Sequence, residues 1–247
     1  MEQERGNIFP ASLFLFAFLL VSGVSFPSFP AEAAGALSPV KEQPKPSSGA
    51  SQVNSIVTEL NSLSVTAEQI FNLALVDRID STGKKMNELK RNAVVFNYIK
   101  DAKNDLLLPR LDRTIAALEN ALSSKNRFDT MRYANRITLI IAVVTVPFNP
   151  IIPTEVSLLE YNGRELEIWS ERKNMNKLSN TVIRMHLAWQ TLMPKLIEHN
   201  GLKTLKHFSE VMEHLEFAKT PEEYSRLSRQ ALIEAEASKA IFAKATK

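Results

Sequence analysis

The four histidines of this 247-residue chain all fall between residues 186 and 214, and they are the side chains best suited to chemistry. If the stretch after residue 201 is helical, His207, Glu210 and His214 stand at i, i+3 and i+7 on one face. Imidazoles and a carboxylate so placed could ligate a first-row metal, with His199 completing the set from the preceding turn. The same face is also the expected wet flank of an apolar stripe at Leu205, Phe208, Met212 and Leu215, and H-x-x-E-x-x-x-H lacks the i, i+4 histidine pair of zinc-protease helices. A second metal chemistry is haem held between a Met and a His on facing helices. Met185, Met193, Met212, His186 and His214 supply the ligand types, but no spacing selects one axial pair. Glu210 and His214 form Glu-x-x-x-His, not the Glu-x-x-His of di-iron bundles.

Catalytic signatures do not appear. The chain has no G-x-S-x-G, no P-loop and no dinucleotide fingerprint, and its 7 glycines leave few of the tight turns that cradle phosphates or present nucleophiles. The expectation is a non-enzymatic protein with no cofactor. Cysteine is absent, so disulfides, thiolate metal sites and C-x-x-C-H haem attachment are excluded. The net charge of +3 reads as a mild surplus scattered along the chain, too diffuse for nucleic acid. Its densest stretches are Lys125, Arg127, Arg132 and Arg136 before an apolar run, and Arg110 and Arg113 after Pro109. They suggest a basic patch for lipid headgroups or an acidic partner. Pairs such as Arg164 with Glu167, or Glu234 with Lys239, read as solvated helix faces, and Trp169 and Trp189 as core anchors.

These residues must be positioned by helices, since Leu, Ala, Glu, Lys and Arg abound and glycine is scarce. Residues 1–33 read as a signal peptide: an uncharged run over 8–26 precedes Ala31-Glu32-Ala33, with an uncleaved membrane anchor as the alternative. A Pro/Ser/Gly-rich linker follows over 34–51. From there to residue 247 the pattern is helical. Val53, Ile56, Leu60, Leu63, Ala67, Ile70 and Ala74 alternate spacings of three and four, and Met86, Leu89, Ala93 and Phe96 begin a second face. Pro109 either kinks that helix or separates it from Leu111, Ile115, Leu118 and Leu122. Leu178, Val182, Met185, Trp189, Leu192 and Leu196 mark the clearest helix, and Thr220-Pro221-Glu222-Glu223 is a capping box opening the last one.

Two segments are ambiguous. Residues 137–146 are apolar all round, which predicts a helix end buried on every side, with a strand as rival. The run is too short to span a membrane. Asn162-Gly163 is a hairpin signal inside an otherwise helical pattern, and helix is the favoured reading. The apolar connector PFNPIIP offers Phe148, Ile151 and Ile152 as a partner surface unless they pack inward.

The resulting expectation is an all-α, up-and-down antiparallel bundle with a four-helix-like core and shorter extra helices, or two bundles split near 147–153. The expected role is binding, structural or adaptor, in the periplasm or outside the cell, toward an unknown protein partner. The membrane would be reached only through an uncleaved N-terminal segment. A metal- or haem-binding bundle and a membrane-active helical protein are the alternatives.

Overall fold

The computed structural model describes residues 48–99 and 107–244, and every regular element within them is helical. In chain order these are α1 (Ser48–Leu75), α2 (Gly83–Asn92), α3 (Leu108–Ser123), α4 (Arg127–Thr145), α5 (Thr154–Glu171), α6 (Met175–Glu198), α7 (Leu202–Phe217) and α8 (Pro221–Lys244). Short 3-10 turns occupy Ile79–Thr82, Ala93–Tyr98 and Val146–Phe148. The expected signal segment and the linker up to residue 47 lie outside the described residues; residues 48–51, read from sequence as the end of the linker, instead open α1.

The apolar stripes pack as their spacing dictates. Leu60, Leu63, Ala67, Ile70 and Ala74 of α1 are fully buried against α4, joined by Leu89 of α2 and by Leu111 and Leu118 of α3. A second apolar cluster gathers Leu178, Met185, Leu192 and Leu196 of α6, Phe208 and Leu215 of α7, and Leu227 and Ala231 of α8 around α5. Trp189 and Phe208 stack at its centre, with ring centroids 4.4 Å apart. α4 packs on α5 where the two clusters meet; Ile168 of α5 belongs to the first cluster, and Trp169 touches both.

Pro109 does not kink a long helix. It sits in the first turn of α3, where its missing N–H costs nothing. Residues 137–146 are helical, not a strand, and Ile137, Ile140, Ile141 and Val144 are buried. Burial on every side is corrected at Val143 and Val146, 43% and 54% exposed, because this segment has neighbours on only part of its circumference. The hairpin alternative at Asn162-Gly163 is also gone, since both lie within α5. Gly163 is there for closeness: a Cβ would stand 2.9 Å from Cδ2 and 3.0 Å from Cγ of Leu232 on α8.

The connector after α4 is divided among three environments. Phe148 packs on the first cluster and Ile152 on the second, while Ile151 is 63% exposed. Two of the three residues expected as a partner surface are therefore half-buried architecture, and Ile151 alone faces solvent.

Helix ends use an unusual residue choice. Asp77, Lys125, Lys173 and Asn200 adopt φ between 51° and 58°, the left-handed position usually given to glycine. At each, two backbone bonds close the helix: for α5, the Asn174 N–H donates to the Trp169 carbonyl and the Lys173 N–H to that of Ser170, both at 3.0 Å. Asparagine then caps the next helix, Asn126 accepting from the Asp129 N–H and Asn174 from the Lys177 N–H, each at 3.1 Å. The dipeptide Lys-Asn thus makes both the α3–α4 and the α5–α6 turn. Lys173 makes no ion pair among the described residues, so Lys173→Gly should relieve left-handed strain and stabilise the fold by about 0.5 to 1 kcal/mol. Urea denaturation checks this, and a lowered midpoint would contradict it.

Candidate functional site

α5 is the most enclosed helix, and its sequence does not announce it. Glu160, Arg164, Glu165 and Glu167 are all buried, so each must find partners on a neighbouring helix. Arg164, 3% exposed, donates from Nε to Oδ1 of Asn135 on α4 at 2.9 Å, from Nη2 to Thr138 at 3.3 Å, and from Nη1 to Glu68 of α1 at 3.1 Å. Asn135, fully buried, donates in turn to the Tyr161 carbonyl at 3.1 Å and to Glu165 at 3.0 Å. The second oxygen of Glu165 accepts from the Trp169 indole at 2.9 Å. Glu167 accepts from Ser225, Ser228 and Arg229 of α8. Arg164 and Glu167 were read from sequence as a pair on a solvated helix face; both are buried and meet other partners, because α5 lies between α4, α6 and α8.

Glu160 pairs with Lys239 of α8, so the Glu234–Lys239 pair read from sequence is corrected: Lys239 meets Glu160 and Glu236, and Glu234 faces His207. Burial pushes the Glu160 carboxyl above its ordinary value, against the charge and hydrogen bond of Lys239, which pull it down. Burial lowers Lys239, yet the charge and hydrogen bond of Glu160, with the charges of Glu236 and Glu68, together outweigh it and raise the ammonium above its ordinary value. A carboxyl raised in the folded state loses stability as pH climbs through the carboxylate range. The lysine contributes stability below its ordinary range and loses it above. Lys239→Met would strip Glu160 of its main counter-charge and raise it further. The variant should match the parent near pH 4 and fall short by about 2 kcal/mol near pH 8. Denaturation across that range checks the slope, and a pH-independent difference would contradict it.

On the side of α5 that carries Tyr161, Glu165 and Trp169, a groove of about 1170 Å³ opens between α3 and α4 on one wall and α5 and α6 on the other. Each helix presents one face to it. α3 gives Arg110, Arg113, Thr114 and Ala117, and α4 gives Arg132, Tyr133, Arg136 and Leu139. α5 gives Leu158, Tyr161, Glu165 and Trp169, and α6 gives Lys177, Arg184, Leu187 and Thr191. Steps of three, four and seven recur within each set, so the side chains of each helix fall on or beside a common stripe. The lining carries six cations against two carboxylates, Glu155 and Glu165. Both carboxylates are engaged elsewhere, Glu155 by Lys195 at 2.8 Å and Glu165 by Asn135 and Trp169.

No family model, curated protein or solved structure matches the chain. The chemistry of the groove therefore carries the functional reading. Arg132 is held by Asp129 at 2.8 Å, but Arg110, Arg113, Arg136, Lys177 and Arg184 make no ion pair with a carboxylate among the described residues. Arg184 is braced by neutral partners, donating to Asn162 at 3.3 Å and Thr181 at 2.8 Å, so its charge stays uncompensated. The Lys177 ammonium lies 5.6 Å from the Trp169 ring centre. Burial, with the nearby Glu165 charge, pushes the Tyr161 hydroxyl up to about 12, against the opposing pull of Arg136 and Arg184. That hydroxyl is a hydrogen-bond donor at any physiological pH. Preformed and without a carboxylate partner among the described residues, these cations suit an anion.

The positive surplus is thus concentrated, not scattered: the excess in the groove is larger than the +3 of the whole chain. Four of the six arginines and lysines singled out from sequence, Arg110, Arg113, Arg132 and Arg136, come together here. Lys125 and Arg127 do not. Lys125 pairs with Asp80 at 2.9 Å, and Arg127 closes the end of α1 by donating to the Ala74 and Leu75 carbonyls at 2.8 and 2.7 Å while gripping Glu171. Lys177, Arg184, Tyr161 and Trp169 were missed as site residues. The available signal was the seven-residue step from Lys177 to Arg184, away from the apolar stripe of α6.

The histidines lie elsewhere. His207, Glu210 and His214 line a cleft of about 300 Å³ between α7 and α8, shared with Arg226 and Glu234. His207 stands 3.5 Å from Glu234 and Glu210 is 4.0 Å from Lys206, and among the described residues no three His, Asp or Glu side chains are grouped to hold a metal. His199 is not with them: its ring packs on Phe242 at 4.9 Å. His186 contacts Glu216 at 2.8 Å, while Met185 and Met212 fill the second apolar cluster. Among the described residues no helix is long and apolar enough to cross a membrane.

Proposed function

We propose that this protein is an exported, non-enzymatic binding or adaptor protein whose groove between α3, α4, α5 and α6 receives an anionic ligand. The observation that carries this reading is the set of five cations without a carboxylate partner among the described residues, aligned over an aromatic and apolar floor. An up-and-down antiparallel bundle is the arrangement this reading assumes, and the tight turns at Lys125-Asn126 and Lys173-Asn174 support it, because three-residue connections set successive helices side by side. Export to the periplasm or the cell exterior is supported by the uncharged run over 8–26 and by Ala31-Glu32-Ala33. A chain free of cysteine would need no oxidative folding there.

The test uses anilinonaphthalene sulfonate, which joins an anion to an aromatic body. The folded protein should bind it at one site, more weakly as salt rises, because exposed cations are screened beyond about 10 Å at 0.1 M salt. The double variant Arg113→Glu, Arg136→Glu should lose at least about tenfold in affinity, equivalent to about 1.4 kcal/mol. Lys203→Glu on α7, outside the groove, should bind as the parent does. Equal binding by all three proteins would overturn the reading.

A further inference from the structure

The shape of the groove narrows the ligand class, on the footing that it binds anions at all. Its α5 face runs from Glu155 to Trp169 and its α6 face from Lys177 to Thr191. At 1.5 Å per residue each stretch is about 21 Å long, the length of roughly four helical turns. The volume of about 1170 Å³ lies above the range of about 300 to 1,000 Å³ typical of small-molecule sites. The charges are likewise distributed along the walls. Arg110 and Arg113 stand on one side and Arg184 on the other, so a single phosphate or sulfate would leave most of them unmatched. Between the walls runs a less polar seam, with Leu139, Leu158 and Trp169 half-buried and Leu187 60% exposed. Arginine and aromatic side chains are the residues on which protein interfaces concentrate their binding energy.

We infer that the groove is a docking site for an acidic amphipathic helix of a partner protein, laid along α5 between α3 and α6. Its apolar stripe would sit on Leu158, Trp169 and Leu187 at the 8 to 10 Å spacing usual for packed helices. Glu or Asp on both flanks of that stripe would meet the arginines of the two walls, as flanking charges select partners in coiled coils. Bidentate carboxylate contacts favour arginine over lysine, and the walls carry five arginines and one lysine. The helix-in-groove mode reads its ligand as anchors at i, i+3, i+4 and i+7, which is the spacing of the lining residues themselves.

The probe is a labelled synthetic 15-residue peptide with Leu at i, i+4, i+7 and i+11 and Glu on both flanks. It is compared with a scrambled peptide of the same composition, with inorganic polyphosphate and with vesicles containing anionic phospholipid. The patterned peptide should bind at least tenfold tighter than the scrambled one, and Arg113→Glu, Arg136→Glu and separately Arg184→Glu should each weaken it at least tenfold while leaving the circular dichroism and urea midpoint near those of the parent. Equal affinity for both peptides would overturn the helix proposal, as would binding of polyphosphate or vesicles alone. In either case the anion-binding reading survives. Failure of every anion, the naphthalene sulfonate included, would overturn both.

Discussion

Replacing Arg164 by alanine is expected to remove about 3 to 5 kcal/mol of unfolding free energy, the cost of breaking a buried, hydrogen-bonded charge cluster by deleting one partner. Four side chains on three helices depend on this guanidinium. Asn135 on α4 loses the shorter of two bonds to its side-chain oxygen, Thr138 loses a partner, Glu68 on α1 loses its counter-ion, and Glu160 loses a nearby positive charge. Asn135 is fully buried, so its oxygen would keep only the longer 3.4 Å bond from the Thr138 hydroxyl, with no route to water within the packed interior. Arg164→Lys should recover part of the loss, because an ammonium keeps the charge but cannot span the same three acceptors in a plane. Urea unfolding is the measurement. With slopes of about 1 to 3 kcal/mol per molar, the alanine variant should shift its midpoint by roughly a molar or more. A loss under about 1 kcal/mol would mean the network contributes little.

Phe208→Ala should cost a similar amount, about 3 to 5 kcal/mol, for a different physical reason. Phe208 is fully buried and stacks on Trp189, itself 3% exposed, so truncation opens a cavity and removes an aromatic pair at once. Single domains are stable by only about 5 to 15 kcal/mol in total, and such a loss is a large share of that. Trp189 supplies the readout, since its fluorescence should change with its ring partner gone, whereas Arg164→Ala should leave that signal near the parent's. Phe208→Leu, which refills part of the space, should restore more than half of the loss. Equal destabilisation by Leu and Ala would point away from a cavity.

Helix positions were readable because apolar spacing reports directly which face is buried. The stripe on α6 is interred residue for residue and that on α1 from Leu60 to Ala74, and the capping box at Thr220 and Glu223 forms with bonds of 3.1 and 3.2 Å. What stayed hidden was α5. Its charged residues stand on every side, which in sequence resembles a wet helix, and only the packing of α4, α6 and α8 around it turns Arg164 and Glu167 inward. The groove was half legible for a related reason. Arg110, Arg113, Arg132 and Arg136 are close in sequence and were grouped as a basic patch, but Lys177 and Arg184 join them only through the path of the chain across α5. For the histidines, ligand type is visible in a sequence and convergence is not: His207, Glu210 and His214 line one cleft, whereas His199 ends against Phe242.

The division of the interior into two apolar clusters bears on how the chain is made. Nearly all of the first cluster comes from residues 60–144, and the second from residues 156–242, so each is assembled from one uninterrupted length of polypeptide. Contacts local in sequence favour fast folding. As synthesis proceeds from the N-terminus, the first cluster can condense once α4 has emerged, open where Phe148, Ile168 and Trp169 have yet to arrive. The arrival of α5 closes that gap and at the same moment brings Arg164 to Asn135. The polar network thus acts as the latch by which the earlier half of the chain accepts the later one.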